Sequence, residues 1–449
     1  MEIIMNYLFS NKDLRKLIVP LIFEQALAIT VGMADTMMIS SVGEAAVSGV
    51  SLVDMVNMLI FSVLAALATG GAVVTSQFIG AKKPEKARLS AKQLLYTVII
   101  ASLLLSVLAI LARGPLLRLF FGSIETDVME NALIYLTISA ISFPFLAVYN
   151  ACAALFRSMG NSQITLKVSI LMNAINICGN ALCIFVLHMG VAGVAVPSLV
   201  SRAVAGILLY IFLRNPRYLV HFDRQPFSLD WSMIKNILYI GIPSGIENGI
   251  FQLGRVLVVS IISGFGTVQI AANGVANNLD AMGCIIGQAM NLAMITVIGR
   301  CVGANDENQI RYYTKKLLLI TYISTIALNS WILLSLNPIL NLYGLSQETT
   351  RLAWLLVMIH DGSAMILWPV AFVLPNMLRA CNDVRFTMVV SIFSMFAFRI
   401  GFSYLIGVRM GTGAVGVWIA MIIDWLFRLT LFIIRYLSGR WKKLCLSPR

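Results

Sequence analysis

Charge is scarce in this sequence. Asp, Glu, Lys and Arg make up 12% of 449 residues, while hydrophobic residues make up 59%. A water-soluble chain needs about twice that share of charge to cover its surface, so a soluble fold is excluded. Histidine is rarer still: His188, His221 and His360 are too dispersed to suggest a metal cluster. The cysteines (Cys152, Cys178, Cys183, Cys284, Cys301, Cys381 and Cys445) form no CxxC pair and mostly sit in apolar runs. They read as small core residues, and neither a zinc site nor a disulfide framework is expected. No HExxH, GxSxG or Asp-rich motif occurs in a suitable context, which argues against an enzyme. No long strand-like alternation supports a barrel. The first apolar segment is too long and too polar for a signal peptide, and no small-residue cleavage site follows it. It is expected to remain as a mature helix.

What the chain does contain is a series of apolar runs, each long enough to cross a bilayer. Twelve spans are predicted, at about 16–39, 48–76, 92–112, 131–153, 165–187, 190–213, 235–263, 268–298, 315–337, 350–377, 386–408 and 413–435. The net charge of +13 comes mostly from Lys and Arg in alternate connections, such as Lys82 to Lys92, Arg214 to Lys235, Arg300 to Lys316 and Arg435 to Arg449. The opposite loops hold only Arg113, Arg118, Arg351 and Arg409. That asymmetry predicts both termini in the cytoplasm, and basic loops facing anionic lipid account for the charge without nucleic acid.

The longest polar connection, "RNPRYLVHFDRQPFSLDWSMI" (214–234), separates six spans from six. At an offset of 223 the halves match: Pro20 with Pro243, Glu24 with Glu247, Gly43 with Gly266, Gly80 with Gly303 and Arg88 with Arg311. "FRSMGNSQIT" at Phe156 also matches "LRACNDVRFT" at Leu378. The predicted organisation is an N-terminal six-helix lobe (1–213), a cytoplasmic linker (214–234), and a C-terminal six-helix lobe with a short cytoplasmic tail (235–449). An even number of spans per half gives both halves one orientation. The expected fold is therefore all-α integral membrane, with two parallel-repeat six-helix bundles around a central cavity, as in transporters of that construction. A duplicated channel or scaffold would carry the same repeat.

Ionisable groups inside spans face cavities or partners and mark ion or substrate paths. The acids are Glu24, Asp35, Asp54, Glu247, Asp280, Asp361 and Asp424; the arginines are Arg202, Arg255, Arg399 and Arg428. Glu24 and Asp35 share a helix face but lie about 16 Å apart, so they are not one carboxylate pair. Glu24 reads as a packing acid, whereas Glu247, flanked by Gly245 and Gly249, is a candidate cavity acid. Asp35 has no acidic twin, because Val258 occupies its counterpart. Asn173, Asn176 and Asn180 form a ladder on one face of span 5, at the depth of Asp35. A carboxylate beside carboxamides holds a sodium ion, switches a proton, or forms an interhelical clasp without an ion.

Span 8 carries a polar stripe of Asn273, Asn277, Asp280, Gln288 and Asn291, expected to line the cavity with Asp54, the repeat partner of Asn277. Asp361, next to His360, is a candidate second proton or cation group. Arg399, Asp424 and Arg428 read as a structural ion-pair network, with Asp424 and Arg428 one turn apart.

Together, "MADTMMISSVGEAAVSGVSL" (from Met33), "QFIGAKKPEKA" (from Gln77) and the pair "FRSMGNS" and "LRACNDV" resemble the multidrug and toxic compound extrusion (MATE) family, bacterial members above all. The resemblance covers nearly the whole chain and implies efflux of organic, often cationic compounds, driven by inward sodium or proton flow. It assigns cation coupling to Asp35, the family's span 1 acid, and matches Asn176 to the first residue of a span 5 N-x-x-x-D pattern. Asn180 stands where that pattern has its acid, and Pro197 where some members coordinate through threonine. Glu247 matches a span 7 glutamate that places a cation site in the second half. Trp368 replaces the expected span 10 aspartate, two turns after Asp361. The expected protein is thus a monomeric secondary antiporter of the cytoplasmic membrane. Small organic substrates and a proton or sodium ion are its partners, with no other cofactor. The alternative is a lipid-linked oligosaccharide flippase, which would favour a strongly cationic cavity, or a channel.

Overall fold

The computed structural model describes residues 7–122, 125–223 and 228–445. Arg224 and Arg449, part of the predicted basic clusters, lie outside the described residues. Among those described there is no strand, and twelve helices are long and apolar enough to cross a membrane. They are α1 (Asn11–Ser40), α2 (Glu44–Gly80), α3 (Pro84–Leu111), α4 (Thr126–Ser158), α5 (Ser162–Val186), α6 (Ala192–Leu213), α7 (Trp231–Ser263), the second part of α8 (Ile285–Gly303), α9 (Glu307–Leu334), α10 (Gln347–Ala380), α11 (Val384–Arg409) and α12 (Ala414–Leu437). The first part of α8 is Thr267–Gly283.

Most helices overrun the predicted spans. α1 begins at Asn11 and carries Lys12, Arg15 and Lys16, because hydropathy marks the apolar crossing while the helix continues into the polar boundary. The span predicted as one run over 268–298 is interrupted at Cys284, between its two segments. There the buried Asn329 of α9 donates its Nδ2 to the Gly283 carbonyl at 3.4 Å. A Cβ on Gly283 would meet Asn329 Oδ1, so only glycine lets α9 approach this closely. The chain also contains π-helical turns at Leu182–Val186, Pro369–Val373, Met395–Gly401 and Ser403–Arg409. Hydropathy carries no signal for these.

The repeat extends to the backbone. Gly43 and Gly266 open α2 and α8 with φ of 134° and 97°. Lys82 and Asn305 both have φ of 56°, and Gly190 and Gly413 have 60° and 64°. Gly160 pairs with Asn382 at 79° and 65°. Left-handed residues are costly for anything but glycine and, to a lesser degree, asparagine, so four matched pairs mark one connection plan used twice.

Contacts divide the chain into two units, Asn11–Gly245 and Ile246–Arg449, the latter joined by the N-terminal segment before Asn11. The division falls inside α7. In the first unit α4 packs against α2, α3 and α6, and α5 packs against α1 and α6. In the second, α10 likewise packs against α8, α9 and α12, and α11 packs against α12. Phe9 anchors the second unit's N-terminal segment: its amide donates to Tyr313 Oη at 2.9 Å, and Tyr313 donates to its carbonyl at 2.7 Å. The first unit includes the connection after α6, where Gln93 Nε2 donates to Ser228 O at 2.8 Å. Large apolar side chains such as Leu111, Leu119 and Leu334 are more than three-quarters exposed, the surface expected of a chain solvated by lipid tails.

Candidate functional site

Asp35 lies near the end of α1, against α5. Helical spacing puts Asn173, Asn176 and Asn180 on one buried stripe of α5, and α1 packs on that helix. Asn180 Nδ2 donates to Asp35 Oδ1 at 2.7 Å and reaches Asn176 Oδ1 at 3.4 Å. Asn176 donates to Ser198 Oγ on α6 at 2.9 Å, and Asn173 to Ser169 Oγ at 3.3 Å. Asn180 is fully buried, yet its Oδ1 has no hydrogen-bond partner. Buried polar atoms are rarely left so, and such exceptions call for an explanation.

Asp54 on α2 joins the same neighbourhood and accepts from Tyr135 Oη on α4 at 3.1 Å. Arg202 of α6 lies close enough for its charge to act on both Asp54 and Asp35. Its Nη1 donates to Ser142 Oγ at 2.7 Å, and its guanidinium sits 4.7 Å from the centre of the Phe61 ring. The first unit therefore gathers two acids and one arginine from three helices. Tyr135 and Arg202 belong to this cluster, but sequence pattern alone does not pair them with the acids.

Glu24 and Glu247 occupy matching positions but take different partners. Thr165 Oγ1 donates to Glu24 Oε2 at 3.1 Å, and Tyr149 also bonds this carboxylate. In the second unit Ser391 Oγ donates to Glu247 Oε1 at 2.5 Å, and Arg379 Nη2 lies 2.7 Å from the same oxygen. Arg379 continues to Asn376 Oδ1 at 2.6 Å, Asn376 to Asn291 Oδ1 at 2.9 Å, and Asn291 to Gln288 Oε1 at 3.3 Å. Glu247 thus begins a polar chain that surfaces at Gln288, with Arg379 and Ser391 the partners that span composition does not reveal. Arg157, the repeat counterpart of Arg379, is the available signal.

The second unit brings Asp280 of α8 to His360 and Asp361 of α10. His360 Nε2 is 2.7 Å from Asp280 Oδ1, and its Nδ1 is 2.7 Å from Asp361 Oδ1. Cys284 Sγ reaches Asp280 Oδ1 at 3.2 Å. Asn273 accepts from Trp418 Nε1 at 2.9 Å. Asn273 and Asn277 line a small cavity of about 50 Å³ together with Arg255, Arg399 and Trp418. Asp424 is fully buried and takes Arg428 Nε at 2.9 Å and Ser394 Oγ, with Arg399 Nη1 at 4.0 Å. Trp368 lies flat against Gly287 and stacks on Phe372 with ring centres 5.1 Å apart. A wider cavity of about 750 Å³ opens between the starts of α8 and α10, with Glu348 and Arg351 as its charged lining.

Two matching six-helix halves with charged clusters buried in their spans define a multi-pass membrane transporter built on a parallel repeat. The MatE family model matches residues 20–182 and 243–405, two segments at the repeat offset. The chain belongs to the MATE family, whose members are transporters, and it is not an enzyme. It is 26% identical to a probable multidrug resistance protein NorM of Thermotoga maritima over 447 residues, covering 98% of this chain and 95% of that protein. It is 27% identical to the uncharacterized transporter YisQ of Bacillus subtilis, covering 94% and 93%. Among solved structures, an outward-facing multidrug resistance MATE transporter of the MOP superfamily superposes with TM-score 0.90 at 20% identity, covering 97% of both chains. A MOP superfamily transporter from Pyrococcus furiosus, described as having a binding pocket of reversed polarity, gives 0.88 at 20% identity, again with 97% of both covered.

Proposed function

We propose that the protein is a secondary antiporter that exports organic, amphipathic and mainly cationic compounds by alternating access, driven by inward flow of protons. Asp35 is the coupling group, and the contact that carries the reading is Asn180 to Asp35. An ionised Asp35 accepts from Asn180 Nδ2, the arrangement at 2.7 Å. A protonated Asp35 becomes a donor, and its natural acceptor is Asn180 Oδ1, the buried atom left without a partner. Carboxamide rotation therefore matches either protonation state, so gain or loss of the proton reverses the hydrogen bond that joins α1 to α5. A ligand shifts such an equilibrium only through its differential affinity for the two states. The proton, by reversing one hydrogen bond, has that difference built in. Asp54 and Arg202 set the local charge. A sodium ion takes oxygen ligands and would draw on the same rotation to bring Asn180 Oδ1 toward it, so separately imposed gradients decide between the two ions.

On this reading the chain resides in the cytoplasmic membrane with both termini in the cytoplasm, works as a monomer and uses no cofactor beyond the coupling ion. Arg255 and Arg399 beside Asn273 and Asn277 favour a second reading for the substrate, one bearing an acidic group as a lipid-linked oligosaccharide does. Proteoliposomes loaded with cationic dyes or lipid-linked saccharides, under separately imposed proton and sodium gradients, distinguish these cases. The proposal expects dye transport driven by the proton gradient and abolished by Asp35→Asn. Full-rate accumulation by that variant against the substrate gradient would refute the assignment.

A further inference from the structure

We infer that the second unit binds one borderline-soft divalent metal ion, of the Zn²⁺ class, through Asp280, Cys284 and His360. Asp361 is its positioning residue. A carboxylate oxygen, the thiol sulfur and a ring nitrogen of these three all lie within 4.8 Å of one another. Donor atoms around a tetrahedral zinc sit roughly 3.3–3.8 Å apart, given bonds of about 2.0–2.3 Å, so the His360–Asp280 contact of 2.7 Å widens slightly to admit the ion. Asp280 and Cys284 are one helical turn apart and therefore share a face. Cys284 is also the residue between the two segments of α8, which puts the thiol at their junction.

The imidazole supplies the independent observation. His360 is 1% exposed, and its Nε2 has no well-aligned hydrogen-bond partner although Asp280 Oδ1 is 2.7 Å away. The nitrogen thus lies beside the Asp280 carboxylate off the line of a proper hydrogen bond, in the group of donor atoms that includes the Cys284 thiol. Its other nitrogen is 2.7 Å from Asp361 Oδ1, and Asp361 is fully buried. Carboxylate–histidine–metal chains have this form: the outer carboxylate fixes the ring's tautomer and orientation.

Charge balance supports the same ligand. Nitrogen and oxygen 2.7 Å apart repel unless one of them carries a proton, so each short contact of His360 includes a protonated atom, and the thiol carries another. A dication displaces the proton held by His360 Nε2 or Asp280 together with the thiol proton, so the buried cluster gains no net charge. The donor set of nitrogen, sulfur and one carboxylate selects zinc, cobalt or nickel over sodium, magnesium and calcium, which take oxygen. Asp280, with 24% of its side chain exposed, is the entry ligand, and the fourth position is open to water. This site is separate from the proton exchange assigned to Asp35 and stands without it.

The full-length chain, solubilised in detergent and stripped with chelator, is titrated with Co²⁺ and then with competing Zn²⁺. One equivalent of Co²⁺ should bind with a thiolate-to-metal charge-transfer band and release two protons into weak buffer. It should also quench tryptophan emission, since Trp425 and Trp418 lie 5.0 and 5.6 Å from His360. Cys284→Ser should abolish the band and weaken binding roughly tenfold or more, whereas Asp361→Asn should keep the band and weaken binding about 10–100-fold. In the unaltered protein, Zn²⁺ should protect Cys284 from alkylation while Cys178 reacts unchanged, a readout that does not depend on any variant folding. Absence of stoichiometric binding, a band that survives Cys284→Ser, or unprotected Cys284 would each overturn the site.

Discussion

The pair formed by Glu247 and Arg379 gives the sharpest measurement of whether a buried acid holds the fold or couples an ion. Their side chains are 8% and 13% exposed, and Glu247 Oε1 receives both the guanidinium and Ser391 Oγ. Glu247→Gln leaves the guanidinium with Asn376 as its remaining side-chain partner. Removing one member of a buried pair costs about 3–5 kcal/mol, because the other charge stays desolvated and uncompensated. In a unit of about two hundred residues each kcal/mol moves the midpoint by about 2–4 °C, so the drop should be roughly 6–20 °C. Arg379→Met should produce a similar loss by stranding the carboxylate. The double variant should recover most of it, since neutral replacement of a whole buried pair is often tolerated. The assay is tryptophan-monitored thermal unfolding in detergent at one fixed scan rate, because membrane-protein midpoints are rate-dependent when unfolding is irreversible. Single variants with unchanged midpoints, or a double variant as unstable as both losses combined, would refute the structural role. Loss of transport by Glu247→Gln at an unchanged midpoint would reassign this acid to ion coupling.

Other substitutions probe separate contacts and the choice of ion. Gly70→Ala puts a Cβ 2.5 Å from Ile237 O and 2.9 Å from Gly241 N, forcing α2 from α7 at a cost of about 1–3 kcal/mol; an unchanged unfolding midpoint would contradict that close approach. Gly287→Ala drives a methyl into the Trp368 ring, so tryptophan emission should shift and stability should fall; adding Trp368→Leu should restore stability. Asn180→Asp sets a second carboxylate beside Asp35 and recreates an acid-rich oxygen cluster. Export should then become sodium-stimulated, and flux that stays indifferent to sodium would show that the ion is chosen elsewhere.

Much of the architecture is legible in the amino-acid sequence. Apolar runs mark the twelve spans because the bilayer demands a minimum length of each, and one offset aligns Pro20, Glu24 and Gly43 with Pro243, Glu247 and Gly266. The asparagine ladder of α5 and its closeness to Asp35 follow from helical spacing and matching depth. What periodicity does not encode is the rotation of each helix about its axis relative to its neighbours. Arg202 has no sequence feature that points it at Asp54, and His360 none that points it at Asp280. The scattered histidines give no hint of a metal site because its ligands come from two helices some eighty residues apart in sequence. The break at Cys284 is hidden for a different reason: it lies beside a single glycine, Gly283, that meets a buried asparagine, Asn329, from another helix.

The comparison between halves separates scaffold from chemistry. Positions that hold each half together recur: the prolines inside α1 and α7, the glutamates four residues later, Arg157 with Arg379, Ser169 with Ser391, and the left-handed turn residues. Positions in the charged clusters do not recur. Asp35 faces Val258 in the alignment, Arg202 faces Trp425, Arg255 faces Gly32, Asp280 faces Asn57, His360 faces Ile138 and Asp361 faces Ser139. A buried charge is tolerated only with its partners, and each unit groups its own: Asp35, Asp54 and Arg202 in one, Asp280, His360 and Asp361 in the other. The repeated scaffold thus carries two different charged sets. A proton switch in the first unit and a metal site in the second are therefore independent claims, and Asp35→Asn should leave Co²⁺ binding at Cys284 untouched.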